Sequence, residues 1–172
     1  MNSTTEKQDA AARRARVMSS HDSVVFSGDG EPQTPRTVIE RLSAMLEADE
    51  LRPDTYSLGG NVEAFERRMA EQLGKEAAIW MPTGTLANHL ALRRHSGTKA
   101  RVVLQEQSHI YQDEGDALAR LSGLNAIPLA GGKPYFTASE LQKAIDLSVT
   151  GRVLNLVGAV SIESPVRRQA GQ

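Results

Sequence analysis

Cysteine is absent from this chain of 172 residues, which removes disulfides, thiolate metal ligands and cysteine nucleophiles together. An excess of one charge is missing too. Lysine plus arginine number 20 against 21 aspartate plus glutamate, a net charge of −1. With no long block of one sign, a surface built to hold nucleic acid or anionic lipid is not indicated. No apolar stretch reaches the length that crosses a bilayer. Arg13, Arg14 and Arg16 are followed by no apolar run, so a secretory signal is not expected either. These absences leave a cytoplasmic protein with no nucleic-acid partner, no membrane partner and no metal site as the expectation. What is present suffices for a folded domain: 40% of the residues are hydrophobic, enough at this length to bury a core.

The apolar residues recur with periods that change along the chain. Residues 1–22 are polar with no sustained period and read as a mobile tail or a frayed helix, leaving 23–172 as the domain. Val24-Val25-Phe26 reads as a short extended piece running into a loop at Gly28-Asp29-Gly30. Thr34-Pro35 is a helix start, a capping hydroxyl before proline at the first helical position, with Val38, Leu42 and Met45 as the apolar stripe. A second helix is predicted over 61–73, capped by Asn61, braced by Glu63 and Arg67 four apart, and stopped by Gly74. The run Ala77-Ala78-Ile79-Trp80-Met81 reads as a strand buried on both faces. A helix from about Gly84 to His95 follows. Downstream the alternation continues, with strands at 102–104, 124–129 and 152–160, one or two helical turns within 110–121, and a capping box at Thr137-Ala138-Ser139-Glu140. Strands alternating with helices predict an α/β domain with a mostly parallel sheet flanked by helices.

Ligands of such sheets sit beyond the carboxyl ends of the strands, and that rule selects three loops. Met81-Pro82-Thr83-Gly84-Thr85 opens a helix, Gln107-Ser108-His109 follows the strand at 102–104, and Ser161-Ile162-Glu163-Ser164-Pro165 follows the last strand. Thr83, Gly84 and Thr85 suit a phosphate: glycine admits close backbone approach, threonine offers hydroxyls, and a helix start presents free N–H groups and a positive dipole end. The tripeptide alone is equally an ordinary strand-to-helix turn with a threonine cap. His109 could stack on an aromatic cofactor or move protons near neutral pH, or be a structural histidine. Glu163, at a third strand end, reads as a cap, a solvent-facing charge or a third site residue, and Glu114 as a solvated helix residue.

These loops, in this order, resemble the pyridoxal-phosphate enzymes of fold type I, specifically the threonine aldolase and aromatic amino acid β-eliminating lyase family. Four stretches carry the resemblance: 56–66 (Tyr56 to Glu66), 73–88 (Leu73 to Asn88), Ser108-His109-Ile110-Tyr111 and Ile162-Glu163-Ser164-Pro165. It implies the N-terminal part of a cofactor-binding large domain, pyridoxal phosphate as cofactor, an amino acid as substrate, and a homo-oligomer for the full-length enzyme. Gly84 and Thr85, with Thr83 adjacent, would hold the cofactor phosphate. His109 would stack on the pyridine ring and could transfer protons. Glu114 matches a family glutamate near the reacting centre, Glu163 the glutamate that begins a family loop, and Tyr56 a tyrosine that reaches a neighbouring subunit's site.

The family also has an aspartate on the pyridine nitrogen and a lysine that forms the Schiff base. Both fall after Gln172 in the resemblance, and Lys7, Lys75, Lys99, Lys133 and Lys143 match neither. Many aldolases place a histidine soon after the glutamate matched by Glu163, where this chain reads Ser-Pro-Val-Arg-Arg. The expectation is therefore a lyase by resemblance, present as a truncated chain without appreciable activity of its own and prone to associate through uncovered edges. Two other readings stand beside it: a non-catalytic remnant that binds a partner or homologue, and an unrelated α/β phosphate-binding domain.

Overall fold

The computed structural model describes residues 34–169, together with scattered positions between 7 and 16 that are helical and exposed. The extended piece expected at 24–26 and the loop at 28–30 lie outside the described residues. The chain divides after Ala78 into two compact units.

In the first unit, helix α1 (Pro35–Glu47) begins as its sequence dictates. The Thr34 hydroxyl accepts the Thr37 N–H, Thr37 reciprocates on the Thr34 N–H, and proline fills the first turn. Its apolar stripe stays largely uncovered, with Ile39, Leu42 and Leu46 exposed. Helix α2 (Asn61–Leu73) spans the expected residues, but Gly60 is its cap. Asn61 does not cap the helix. Its amide instead pins the preceding loop, accepting from Arg52 N at 2.9 Å and donating to the Glu50 carbonyl at 2.8 Å. Glu63 pairs with Arg67 at 3.3 Å as the spacing predicts, and Gly74 closes the helix in the left-handed conformation.

The second unit holds a three-stranded parallel sheet of order β2-β1-β3. Helix α3 (Gly84–Ser96) leads into β1 (Arg101–Gln105), two short helices α4 (His109–Gln112) and α5 (Ala117–Arg120), β2 (Asn125–Leu129), helix α6 (Ala138–Ser148) and β3 (Val157–Val160). Val102, Val103 and Leu104 are fully buried at the centre of the sheet, which is why their sequence shows no polar alternation. Leu92 of α3, Leu118 of α5, Leu124 and Ala159 complete the core. Pro128 sits on β2, at the sheet's edge, where a missing ladder donor is tolerated. In β3 the register steps from Arg101↔Val157 to Val102↔Ala159, so Gly158 is the bulged residue.

Two strand expectations need correction. Residues 77–81 pair with no strand among the described residues, and Ile79 is 73% exposed. A short apolar run becomes a buried strand only where a ladder partner and a covering layer exist, and composition reports neither. The run at 152–160 is strand only from Val157, with Val153 and Leu154 exposed.

Helix α6 shows how local the control of these elements is. Thr137 accepts the Glu140 N–H at 3.2 Å, while the Glu140 carboxylate accepts the Thr137 N–H at 2.7 Å. That backbone bond, first, and the Thr137 hydroxyl, second, hold the Glu140 carboxyl below its usual range. Thr137→Ala is expected to cost about 1 kcal/mol of stability, as loss of a helix cap does, measured by urea denaturation at neutral pH. No change would mean that tertiary packing alone sets this helix start.

Candidate active site

Helix α3 is where the site begins. Thr83 is its cap and accepts the Leu86 N–H at 3.1 Å, and the Thr83 carbonyl takes the Ala87 N–H at 3.2 Å. The N–H groups of Gly84 and Thr85 therefore have no acceptor within the helix. They point with the positive end of the dipole. A Cβ built on Gly84 would meet nothing within 4 Å, so a side chain there has room.

One turn further along α3, four residues after Thr85, sits His89. It is buried and was not anticipated. Its Nδ1 lies 2.7 Å from the Ser122 hydroxyl and its Nε2 lies 3.0 Å from Glu114 Oε2. Residues four apart share a helix face, so the side chains of Thr85 and His89 lie on the same side of α3. Glu114 corrects the expectation of a solvated helix residue. It occupies the turn between α4 and α5, its side chain is 1% exposed, and its second oxygen lies 3.5 Å from His109 Nε2. The imidazole of His109 is 34% exposed, and its Nδ1 lies 3.4 Å from Asp113.

Glu163 and Gln105 brace these loops. The Glu163 carboxylate accepts the His109 N–H at 2.7 Å and the Arg167 N–H at 3.1 Å. Both oxygens are thus taken up by the chain itself, and their work is to hold the start of α4 against the loop after β3. Gln105, fully buried at the end of β1, donates from its amide to the Glu163 carbonyl at 2.9 Å and accepts the Glu163 N–H at 3.0 Å. The same amide reaches the Pro134 carbonyl at 3.3 Å, tying the ends of all three strands together. A buried glutamine at a strand end is hard to anticipate, because its partners lie far away in sequence.

Asp113 gathers the cations near His109. Arg167 and Arg168 both bind it. The Arg168 hydrogen bond, first, holds the Asp113 carboxyl below its ordinary range, with smaller help from His109 and Arg167. A carboxyl depressed in the folded state keeps its partners above the ordinary aspartate range and releases them as the pH falls below it. Tyr56 belongs to the first compact unit, is 95% exposed, and has a positive φ of 54°. Of the expected site residues, His109, Glu114 and Glu163 are joined by direct contacts, while Thr83, Gly84 and Thr85 lie at the start of α3.

The residues present suit a phosphorylated aromatic cofactor by their own chemistry. Two N–H groups at the start of α3 have no acceptor within the helix, a part-exposed imidazole lies between two carboxylates, and Ser108 Oγ, His109 Nδ1 and Glu114 Oε1 are buried without a hydrogen-bond partner. No group of three or more potential metal ligands occurs among the described residues, and no helix among them is long and apolar enough to cross a membrane.

A parallel sheet flanked by helices, with a helix start and polar loops at its strand ends, is the architecture of part of the large domain of pyridoxal-phosphate enzymes of fold type I. The chain belongs to the Beta-eliminating lyase family, whose sequence profile matches residues 33–172. It is 36% identical over 96 residues to the low specificity L-threonine aldolase of Escherichia coli, covering 54% of this chain and 29% of the relative. Against low-specificity L-threonine aldolase 1 of Arabidopsis thaliana it is 29% identical over 93 residues, 52% of this chain and 26% of the relative. Among solved structures, a Listeria monocytogenes protein assigned as an L-allo-threonine aldolase superimposes with a TM-score of 0.64 at 30% identity, over 82% of this chain and 38% of that one. The chain thus spans less than a third of the length of the two curated relatives. The family is one of pyridoxal-phosphate enzymes acting on amino acids.

Proposed function

We propose that this chain carries the phosphate-binding and ring-facing part of a pyridoxal-phosphate-dependent lyase site, of the threonine aldolase or β-eliminating kind. The observation that carries the reading is the start of α3, where the N–H groups of Gly84 and Thr85 have no acceptor within the helix, in the same compact unit as the linked His89, Glu114 and His109. In it, Gly84 and Thr85 donate to the phosphate and the Thr83 hydroxyl fixes the loop. His109 lies against the ring and is the one group of the set open enough to exchange a proton with a ligand. Glu114 orients His109, and Glu163 sets the loop that bears it. When bound, the cofactor supplies an electron sink for bond breaking at the Cα of an amino acid. The names of the relatives favour a β-hydroxy amino acid as substrate. The reading further takes the enzyme as cytoplasmic and homo-oligomeric, with residues 23–172 as the N-terminal part of its cofactor-binding domain.

Equilibrium dialysis tests this reading. Pyridoxal phosphate is expected to bind the purified chain saturably and more tightly than pyridoxal, which lacks the anion. Loss of an aromatic contact is worth on the order of 0.5–1.5 kcal/mol, so His109→Ala should weaken binding about threefold to tenfold. Equal binding of the two pyridoxals, or a preference for nucleotides or sugar phosphates, would overturn the reading.

A further inference from the structure

His89 stands outside the loops that the family resemblance quotes as cofactor-binding, yet it is the most completely engaged imidazole among the described residues. Its protonation pattern follows from its partners. An ionised carboxylate only accepts hydrogen bonds, so the 3.0 Å contact with Glu114 Oε2 requires the proton on His89 Nε2. In a neutral ring Nδ1 is then an acceptor, and the Ser122 hydroxyl, 2.7 Å away, donates to it. The carboxylate therefore fixes the tautomer, and the Ser122 hydroxyl, able to donate or accept, completes it by donating to Nδ1.

Two consequences follow at Glu114. One oxygen is consumed by His89. The other, Oε1, is buried with no hydrogen-bond partner and lies 3.5 Å from His109 Nε2. The groups facing His109 are few: Glu114 on one ring nitrogen, Asp113 on the other, Arg167 and Arg168 on the far side of Asp113, and Glu163 on the backbone N–H. Of the two carboxylates, Asp113 is shared with exposed arginines. Glu114 is buried, so its direction is set almost wholly by His89.

We propose that His89 is a positioning residue for His109: with its ring held by Ser122, it pins one oxygen of Glu114 and so aims the other at His109 Nε2. The relay runs through residues separated widely in sequence but held by α3, by the turn after α4 and by the turn after α5. It gives the α3 helix a second task. The helix whose start offers the Gly84 and Thr85 N–H groups also sets, one turn later, the attitude of the imidazole meant for the ring. The functional part of this inference rests on the proposed role of His109, whereas the relay itself is a property of the chain without cofactor.

The test is nitrogen NMR of the full chain with ring-labelled histidine. Its four histidines are assigned by single substitution. In the unsubstituted chain without cofactor, His89 is expected to show a protonated Nε2 and an unprotonated Nδ1. His89→Leu should move the His109 ring signals, and His89→Gln, whose amide can still donate to Glu114, should restore them. Ser122→Ala removes only a hydroxyl, and it carries the test if the leucine variant does not fold. It should loosen the His89 ring, keep its proton on Nε2, and move the His109 signals. A His89 protonated on Nδ1, or His109 signals indifferent to both Ser122→Ala and His89→Leu, would overturn the relay. Adding pyridoxal phosphate separates the two ideas. If the relay signals behave as stated but the cofactor leaves His109 unmoved, the relay stands and the role of His109 at the ring falls.

Discussion

Gly84→Asp is expected to leave the fold as stable as before, or slightly more so, while weakening pyridoxal phosphate binding tenfold to hundredfold. The two effects come from the same electrostatics with opposite sign. Gly84 is the first residue of α3 and its added Cβ meets nothing within 4 Å, so a side chain can be accommodated. An acidic side chain in the first turn complements the helix dipole by about 0.3–1 kcal/mol. Replacing glycine also restricts the unfolded chain by about 0.4–1 kcal/mol. The same carboxylate would stand where a phosphate dianion is to accept the N–H groups of Gly84 and Thr85. A loss of tenfold to hundredfold corresponds to about 1.4–2.8 kcal/mol, modest for like charges a few ångströms apart at a protein surface. Gly84→Ala separates charge from bulk, because it keeps the helix and adds no repulsion. Its binding should fall between the two. Unaltered binding in Gly84→Asp, measured beside an unchanged or raised unfolding midpoint, would remove the phosphate from this loop, and misfolding could not be blamed.

Why that site was partly legible beforehand is visible in its residues. Thr83, Gly84 and Thr85 could be read because caps and helix starts are local: hydroxyl, glycine and the first apolar period lie within a few positions. The same locality made Thr34, Thr137 and Gly74 readable as helix ends. His109 and Glu163 could be placed at one edge of the sheet because strand ends of a parallel sheet share a side. Glu114 was misread from spacing alone, since a carboxylate in a helical stretch is ordinarily solvated. Only its partners, His89 and His109, make its burial affordable, and they arrive from other elements. His89 and Ser122 gave no signal for the same reason. Each sits in an apolar-patterned segment, and their 33-residue separation is closed only when α3 packs on the sheet. The run at 77–81 shows the converse limit. Its composition is that of a buried strand, but ladder partners are a property of the fold, and among the described residues it has none.

Gly158→Val should do the opposite of Gly84→Asp: a loss of stability first, with binding lost as its consequence. Gly158 is the bulged residue of β3, and a Cβ there would lie 2.8 Å from the Ser96 carbonyl oxygen and 2.9 Å from Ser96 Cα and Lys99 Cβ. Two of these atoms are backbone at the end of α3, so they cannot yield by a rotamer change. Either the bulge or the helix must shift. Overpacking of this kind costs about 1–3 kcal/mol, and a branched side chain at a bulge should fall at the upper end. Because α3 is a continuous helix of 13 residues, displacement at Ser96 is transmitted to its other end, where Thr83, Gly84 and Thr85 lie. It is also transmitted to His89, whose contacts with Glu114 and Ser122 span only 3.0 and 2.7 Å. The expected result is a lowered denaturation midpoint together with weaker pyridoxal phosphate binding, although residue 158 is at the opposite end of the strand from the site. Gly158→Ala should show the same pair of effects, smaller in each. If Gly158→Val binds the cofactor normally despite the lost stability, α3 does not carry strain from its C-terminus to the phosphate loop. If neither quantity changes, the bulge absorbs the side chain, and the close approach of α3 to β3 is not what fixes the helix.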